Sequence, residues 1–155
     1  MDQVTMITDE VKATIGSEVV GPPELIEMGA IRNYAKAITW PGSPDPMYFD
    51  SEAAKNSRFG GIIAPWTFFT TLGRNVPPLR VPLPPPLVSF NGGNDYEYFQ
   101  PIRPGDVITT KSKIIGISER KGRAGILVFI ETDKTFMNQK GEIVGIFHGR
   151  SIRQY

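Results

Sequence analysis

The chain holds one histidine, no cysteine, and an aspartate set between two prolines. The segment Trp40-Pro41-Gly42-Ser43-Pro44-Asp45-Pro46-Met47-Tyr48-Phe49-Asp50 carries two carboxylates and a phenol that could act as acid or base. Asp45 lies between two prolines and is rigidly aimed; it reads as a reactive carboxylate or, more simply, as a turn former. Asp50 stands just before Ser51-Glu52-Ala53-Ala54, where a carboxylate caps a helix more often than it reacts. Tyr48 can donate a proton or hold a ligand, but a phenol with a pKa of about 10 is a poor base at neutral pH. His148 sits in the middle of a strand-like run, and strict alternation puts it on one face with Val144, Ile146, Arg150 and Ile152. A structural or ligand-edge role suits it better than catalysis. One histidine and no cysteine argue against a transition-metal site.

Two further motifs could touch a ligand. Asn91-Gly92-Gly93-Asn94 permits close backbone approach or positive φ, as a contact loop or as a tight bend starting a strand. Arg120-Lys121-Gly122-Arg123 is a basic hairpin tip, either a phosphate or carrier contact or a solvated turn. The net charge of +1 provides no field that would favour nucleic acid or membrane. It is unevenly spread: residues 1–100 carry seven Lys/Arg against eleven Asp/Glu, and residues 101–155 carry ten against five. The start, MDQVTMITDEVK, is polar and acidic, unlike a signal peptide. No apolar run approaches the roughly 18 residues of a membrane span. With no cysteine, disulfides are excluded, and a reducing cytoplasm is the expected location.

The elements that must position these residues divide the chain in two. The first half reads as helical and irregular. Thr8-Asp9-Glu10 starts a short helix ending near Gly16, and residues 24–28 are a short extended piece. Ile31, Tyr34, Ala35 and Ile38 recur at helical spacing. The prolines at 41, 44 and 46 end that helix. A short helix follows over Ser51–Asn56, with Asp50 or Ser51 as N-cap. Pro65 then suits the first turn of a helix over residues 65–73. That helix is apolar nearly all round, so it is expected to be buried, with Trp66, Phe68, Phe69 and Leu72 mostly core. Six prolines at 77, 78, 82, 84, 85 and 86 make a stiff irregular connector.

The second half is strand-like. Asp95–Gln100 is aromatic, and Val107–Ser118, Ile126–Met137 and Ile143–Arg153 form an antiparallel meander joined by short turns at residues 121–125 and 138–141. The unbroken Ile126–Ile130 run predicts a strand covered on both faces. One buried helix wrapped by a curved antiparallel sheet is an α+β plan, and a single domain over 1–155 accounts for the whole length.

The order of motifs is recognisable. Tyr34-Ala35, then Asp45-Pro46-Met47-Tyr48-Phe49-Asp50, then Arg58-Phe59-Gly60-Gly61-Ile62-Ile63-Ala64-Pro65, resembles the signature of MaoC-like hydratases. Asn91 to Asn94, Phe99, the run Pro101-Ile102-Arg103-Pro104-Gly105-Asp106 and residues 138–142 resemble the FAS1-like dehydratase branch. Together they cover about residues 5–153.

The resemblance implies a hot-dog fold, an antiparallel curved β-sheet wrapped around a central α-helix. It implies reversible hydration of a 2-enoyl thioester, with acyl-CoA or acyl-carrier protein as substrate and no further cofactor. In the family an Asp and a His activate a water, and a backbone N–H at the central helix start polarises the thioester carbonyl. The His position falls on Tyr48 and the Asp position on Ser43, so the usual pair is lost. Asp45 is the remaining candidate acid or base. The oxyanion position falls near Trp66, with Ala64 and Thr67 beside it, and Asn91, Gly92 and Gly93 complete the expected substrate-binding set. A degenerate chain of this type resembles the substrate-holding subunit of a heteromeric hydratase, whose MaoC-like partner supplies Asp and His. A self-sufficient homodimer using other groups, or an acyl-CoA-binding module without turnover, are the alternatives.

Overall fold

In the computed structural model, residues 5–123 and 125–155 are described. Met1–Val4 of the polar N-terminal run and Ala124 of the expected 121–125 turn lie outside them. Five antiparallel pairings build one sheet in the order β1-β4-β5-β6-β3, with β2 also paired to β4. The strands are β1 Glu18–Val20, β2 Glu24–Leu25, β3 Val88–Tyr98, β4 Val107–Gly122, β5 Gly125–Met137 and β6 Ile143–Gln154. The helices are α1 Asp9–Lys12, α2 Met28–Thr39 and α3 Ser51–Lys55, with 3₁₀ turns at Pro46–Tyr48 and Trp66–Thr71. No helix among the described residues is long and apolar enough to cross a membrane.

Alternation decides which side chains meet the helices. On β4, Ile108, Thr110, Ser112 and Ile114 are buried while their neighbours are not. Their partners across the ladder continue the same face: Thr110 faces Phe136, Ser112 faces Lys134, and Ile114 faces Thr132. On β6 that face carries Gly145, Phe147 and Gly149. It is the concave side. Phe68, Phe69 and Leu72 pack onto it with Ile26, Ile31, Ile62, Ile102, Ile108, Phe136 and Val144. Tyr34 ties α2 to the central segment, its hydroxyl donating to the Thr67 carbonyl at 2.8 Å and its ring meeting Phe68 edge-on at 5.3 Å.

The expected α+β hot-dog architecture is what the chain adopts, with local differences. The wrapped element is a six-residue 3₁₀ helix, Trp66–Thr71, instead of an α-helix over 65–73. Thr70 and Thr71 hydroxyls donate back to the carbonyls of Thr67 and Phe68, and Gly73 turns the chain away at φ 69. Such side-chain bonds compete with helix propagation. On α2, Ile31 and Ala35 are buried but Ile38 is 49% exposed, because the chain leaves the core at Trp40. On β5, Val128 and Ile130 are buried while Leu127 and Phe129 are only partly covered, so that strand is dry on one face, not two. A register shift opposite Phe136 and Met137 turns Val144 into the core, away from the face where alternation alone puts it with His148.

Candidate functional site

The turn Trp40–Asp50 uses its carboxylates for structure. Asp45 accepts from the Met47 N–H at 3.0 Å and caps the Pro46–Tyr48 turn. Asp50 accepts from the N–H groups of Glu52 and Ala53 at 2.9 and 3.1 Å, and is the N-cap of α3. Ser43 is exposed. Tyr48 is half-buried, in a turn that lies against α2 and α3, and its phenol is pushed above the ordinary range by burial and then by the nearby Asp45 charge. A phenol shifted that way is a weaker acid, and still less of it is present as phenolate at neutral pH.

The start of the Trp66–Thr71 helix is better equipped for a ligand. Its first turn closes with Phe68 N–H donating to the Pro65 carbonyl at 2.8 Å. Among the described residues no acceptor takes the N–H of Trp66 or Thr67. The Ala64 N–H is used, donating to the Ile102 carbonyl at 2.8 Å. The Trp66 ring stands between Phe59 and Tyr98, at 6.3 and 5.2 Å. Tyr96 and Tyr98 stack at 6.0 Å, and both phenols are raised, first by burial.

Asn91, Gly92 and Gly93 do not join that group. The Asn91–Asn94 stretch is neither a loop nor a strand start; it lies inside β3, as a bulge where register shifts between Asn91 and Gly93. Asn91 Oδ1 accepts from the Gly93 N–H at 3.0 Å, and Gly93 has φ 132. A β-carbon at Gly92 would lie 2.9 Å from Ile152 and 3.0 Å from Arg150, side chains of the convex face. Gly93 is five residues from Tyr98, about 17 Å along the strand.

The chain does contain a histidine beside an aspartate. His148 Nδ1 lies 2.7 Å from Asp133 Oδ1, and Nε2 lies 2.9 Å from Glu97 Oε1. Register puts Asp133 directly across from His148 on β5 and Asp95 across on β3. The Asp133 hydrogen bond, then the Glu97 one, holds the imidazole pKa above its usual value. Both ring nitrogens are engaged by carboxylates, so the ring is stabilised as imidazolium and offers no free lone pair. The cluster stands on the convex face, with Glu131 and Arg150 paired beside it. It is separated from Phe69 and Phe136 by the thickness of the sheet. Only the pairing register brings residues 97, 133 and 148 together; no local motif announces them.

The FAS1-like dehydratase domain region matches residues 13–147. The chain belongs to that family. A UPF0336 protein of Streptomyces avermitilis is 34% identical over 108 residues, covering 65% of this chain and 69% of its own. A probable enoyl-CoA hydratase alpha subunit of Thermomonospora curvata is 26% identical over 145 residues, covering 83% of this chain and 44% of its own. The chain therefore spans less than half of that longer relative. Among solved structures, the truncated HadBC (3R-hydroxyacyl-ACP dehydratase) complex of Mycobacterium tuberculosis superposes at TM-score 0.71 with 20% identity, covering 90% of this chain and 96% of the other. At that identity the likeness speaks for the fold, which is that of the MaoC-like dehydratases. It also places a heteromeric complex among the structural relatives.

Proposed function

We propose that this chain is the thioester-holding subunit of a heteromeric 2-enoyl-thioester hydratase or 3-hydroxyacyl-thioester dehydratase. One observation carries the reading. At the start of the Trp66–Thr71 helix the N–H groups of Trp66 and Thr67 meet no acceptor among the described residues, while the sole histidine and its carboxylates stand on the other side of the sheet. Those N–H groups can polarise a carbonyl oxygen as charge develops on it. Water activation then needs an acid and a base from elsewhere, because Ser43 and Tyr48 occupy the positions that carry them in the family, and Asp45 is spent on a turn. A MaoC-like partner chain is the source. The place for it is the outer edge of β3, eleven residues whose backbone pairs, among the described residues, with β6 alone. Val88 and Phe90 on it are 40% and 46% exposed, and Leu87 before it is 80% exposed. An open edge of this length invites strand pairing with a second domain. Acyl-CoA and acyl-carrier protein both fit as thioester carriers.

The test is co-expression with a MaoC-like chain that retains Asp and His, followed by crotonyl-CoA hydration. The expected result is a stable complex that turns over and a solitary chain that does not. A kcat of this chain alone in the ordinary range of about 1–10³ s⁻¹ would end the reading. Tight thioester binding with no product in any pairing would favour an acyl-CoA-binding module instead.

A further inference from the structure

The concave face changes character under the proline connector. Elsewhere it is lined by Ile108, Ile114, Val128 and Phe136, all buried. Between them lie Ser112, Thr132 and Lys134, which with Val76–Leu79 enclose a cavity of about 200 Å³. Lys134 also lines a smaller cavity of about 50 Å³ against Phe69, Thr70 and Tyr96 of the Trp66-helix side. It therefore lines both the cavity under the connector and the one beside Phe69 and Thr70.

Two facts about this pocket point to a ligand group that accepts hydrogen bonds, and a third accounts for how its wall packs. Ser112 is 5% exposed and its hydroxyl has no partner, as is also true of the neighbouring Thr110. A buried polar group left unpaired is unfavourable, so a structure keeps one where something else pays for it. No carboxylate among the described residues lies within ion-pair distance of the Lys134 ammonium; its recorded contact is the Phe147 ring, 5.8 Å from the nitrogen. Glu24, the carboxylate beside the roof, accepts from the Gly73 N–H through Oε1 at 2.8 Å and makes no ion pair with Lys134. Finally, position 149 is a glycine, and a β-carbon there would meet the Phe147 ring at 2.6 Å and Thr132 Oγ1 at 3.3 Å. The bare backbone lets both side chains lie against it.

We propose that this groove receives an acyl group bearing a carboxylate at its far end, and that Lys134 is the specificity-determining residue that pairs with it. The inference rests on the thioester-holding role and narrows its substrate class. A plain alkyl tail would strip water from the ammonium and return nothing. A terminal carboxylate replaces that water with a charge-assisted hydrogen bond.

Isothermal titration of the full chain, alone and in complex with a MaoC-like partner, compares two matched pairs: pentanoyl-CoA with glutaryl-CoA, and hexanoyl-CoA with adipoyl-CoA. In at least one pair the acid-ended thioester should bind about tenfold tighter or more. Lys134→Met and Lys134→Gln should abolish that preference while keeping the alkyl affinity, and Lys134→Arg should retain it. Alkyl thioesters binding as tightly as their acid-ended counterparts in both pairs would overturn this inference and leave the thioester role standing. Failure of every thioester to bind would overturn both.

Discussion

Replacing Gly145 by alanine tests whether the central segment is locked to the sheet as described. A β-carbon at 145 would lie 2.6 Å from Phe69 Cε1, 2.9 Å from Phe69 Cζ and 2.9 Å from the Glu97 carbonyl. Favourable carbon contacts fall at about 3.5–4.0 Å, so something must move by about 1 Å. The ring has little freedom to do so, because Tyr98 stands 5.3 Å from it on one side and Phe136 5.1 Å on another. The Glu97 carbonyl belongs to β3 and is held by its ladder. Overpacking of a closed core costs about 1–3 kcal/mol, and this site belongs in the upper part of that range. For a chain of this size each kcal/mol lowers Tm by about 2–4 °C, so a fall of about 4–10 °C is expected by calorimetry. Gly29→Ala is the control: nothing lies within 4 Å of its β-carbon, and α2 should gain about 0.4–1 kcal/mol. The stronger test is a double-mutant cycle with Phe69→Leu, which removes the atoms that clash. The pair should be at least about 1 kcal/mol less damaging than the sum of the two changes. An unchanged Tm for Gly145→Ala, or simple additivity in the cycle, would refute the packing argument.

The convex cluster makes stability depend on pH. His148 has a raised folded-state pKa, so its contribution is full below the unfolded value of about 6.5 and is lost as pH rises through the folded value. The imidazole is 35% exposed, which limits the effect to about 0.5–1 kcal/mol. Urea midpoints of wild type and His148→Gln should therefore differ more at pH 6 than at pH 9; a gap that widens with pH would contradict the assignment. Asp50→Ala should cost about 1 kcal/mol by removing the cap of α3, and Asp50→Asn only a few tenths, both read from urea denaturation. If the chain works in complex with a MaoC-like partner as proposed, Asp45→Asn and Tyr48→Phe should leave the kcat of that complex within about twofold, since removing a general acid or base typically costs about 10²–10⁴-fold. A loss of that size in either variant would return the chemistry to this chain.

The long strands were legible because their periodicity is long and their turns carry Gly, Asn and Lys. Three residues of β1 are too few to show a period, and it was not anticipated. The early part of β3 was hidden by the Gly92-Gly93 bulge, which interrupts alternation where it is needed to recognise a strand. Val144 was misplaced for a related reason, since one skipped residue flips everything on its side of the shift. The kind of helix at Trp66–Thr71 depends on two threonine hydroxyls bonding backwards and on Gly73, and hydrophobic pattern does not report either. The positions of the family motifs were readable one by one. Their engagement was not: only coordinates reveal that Asp45 is tied to Met47 N–H, or that residues 97, 133 and 148 meet.

The connector from Val76 to Leu87 carries a thermodynamic consequence of its own. Each proline has its φ fixed before folding begins, so this stretch gives up less conformational entropy on becoming ordered than an equal length of ordinary loop. Its prolines offer no amide hydrogens to a neighbouring strand, which makes it a poor template for an additional one. The stretch Val76–Leu79, which walls the cavity beside Ser112 and Lys134, is thus shaped in advance, and under the proposal above an acyl group would not have to supply the free energy of ordering it.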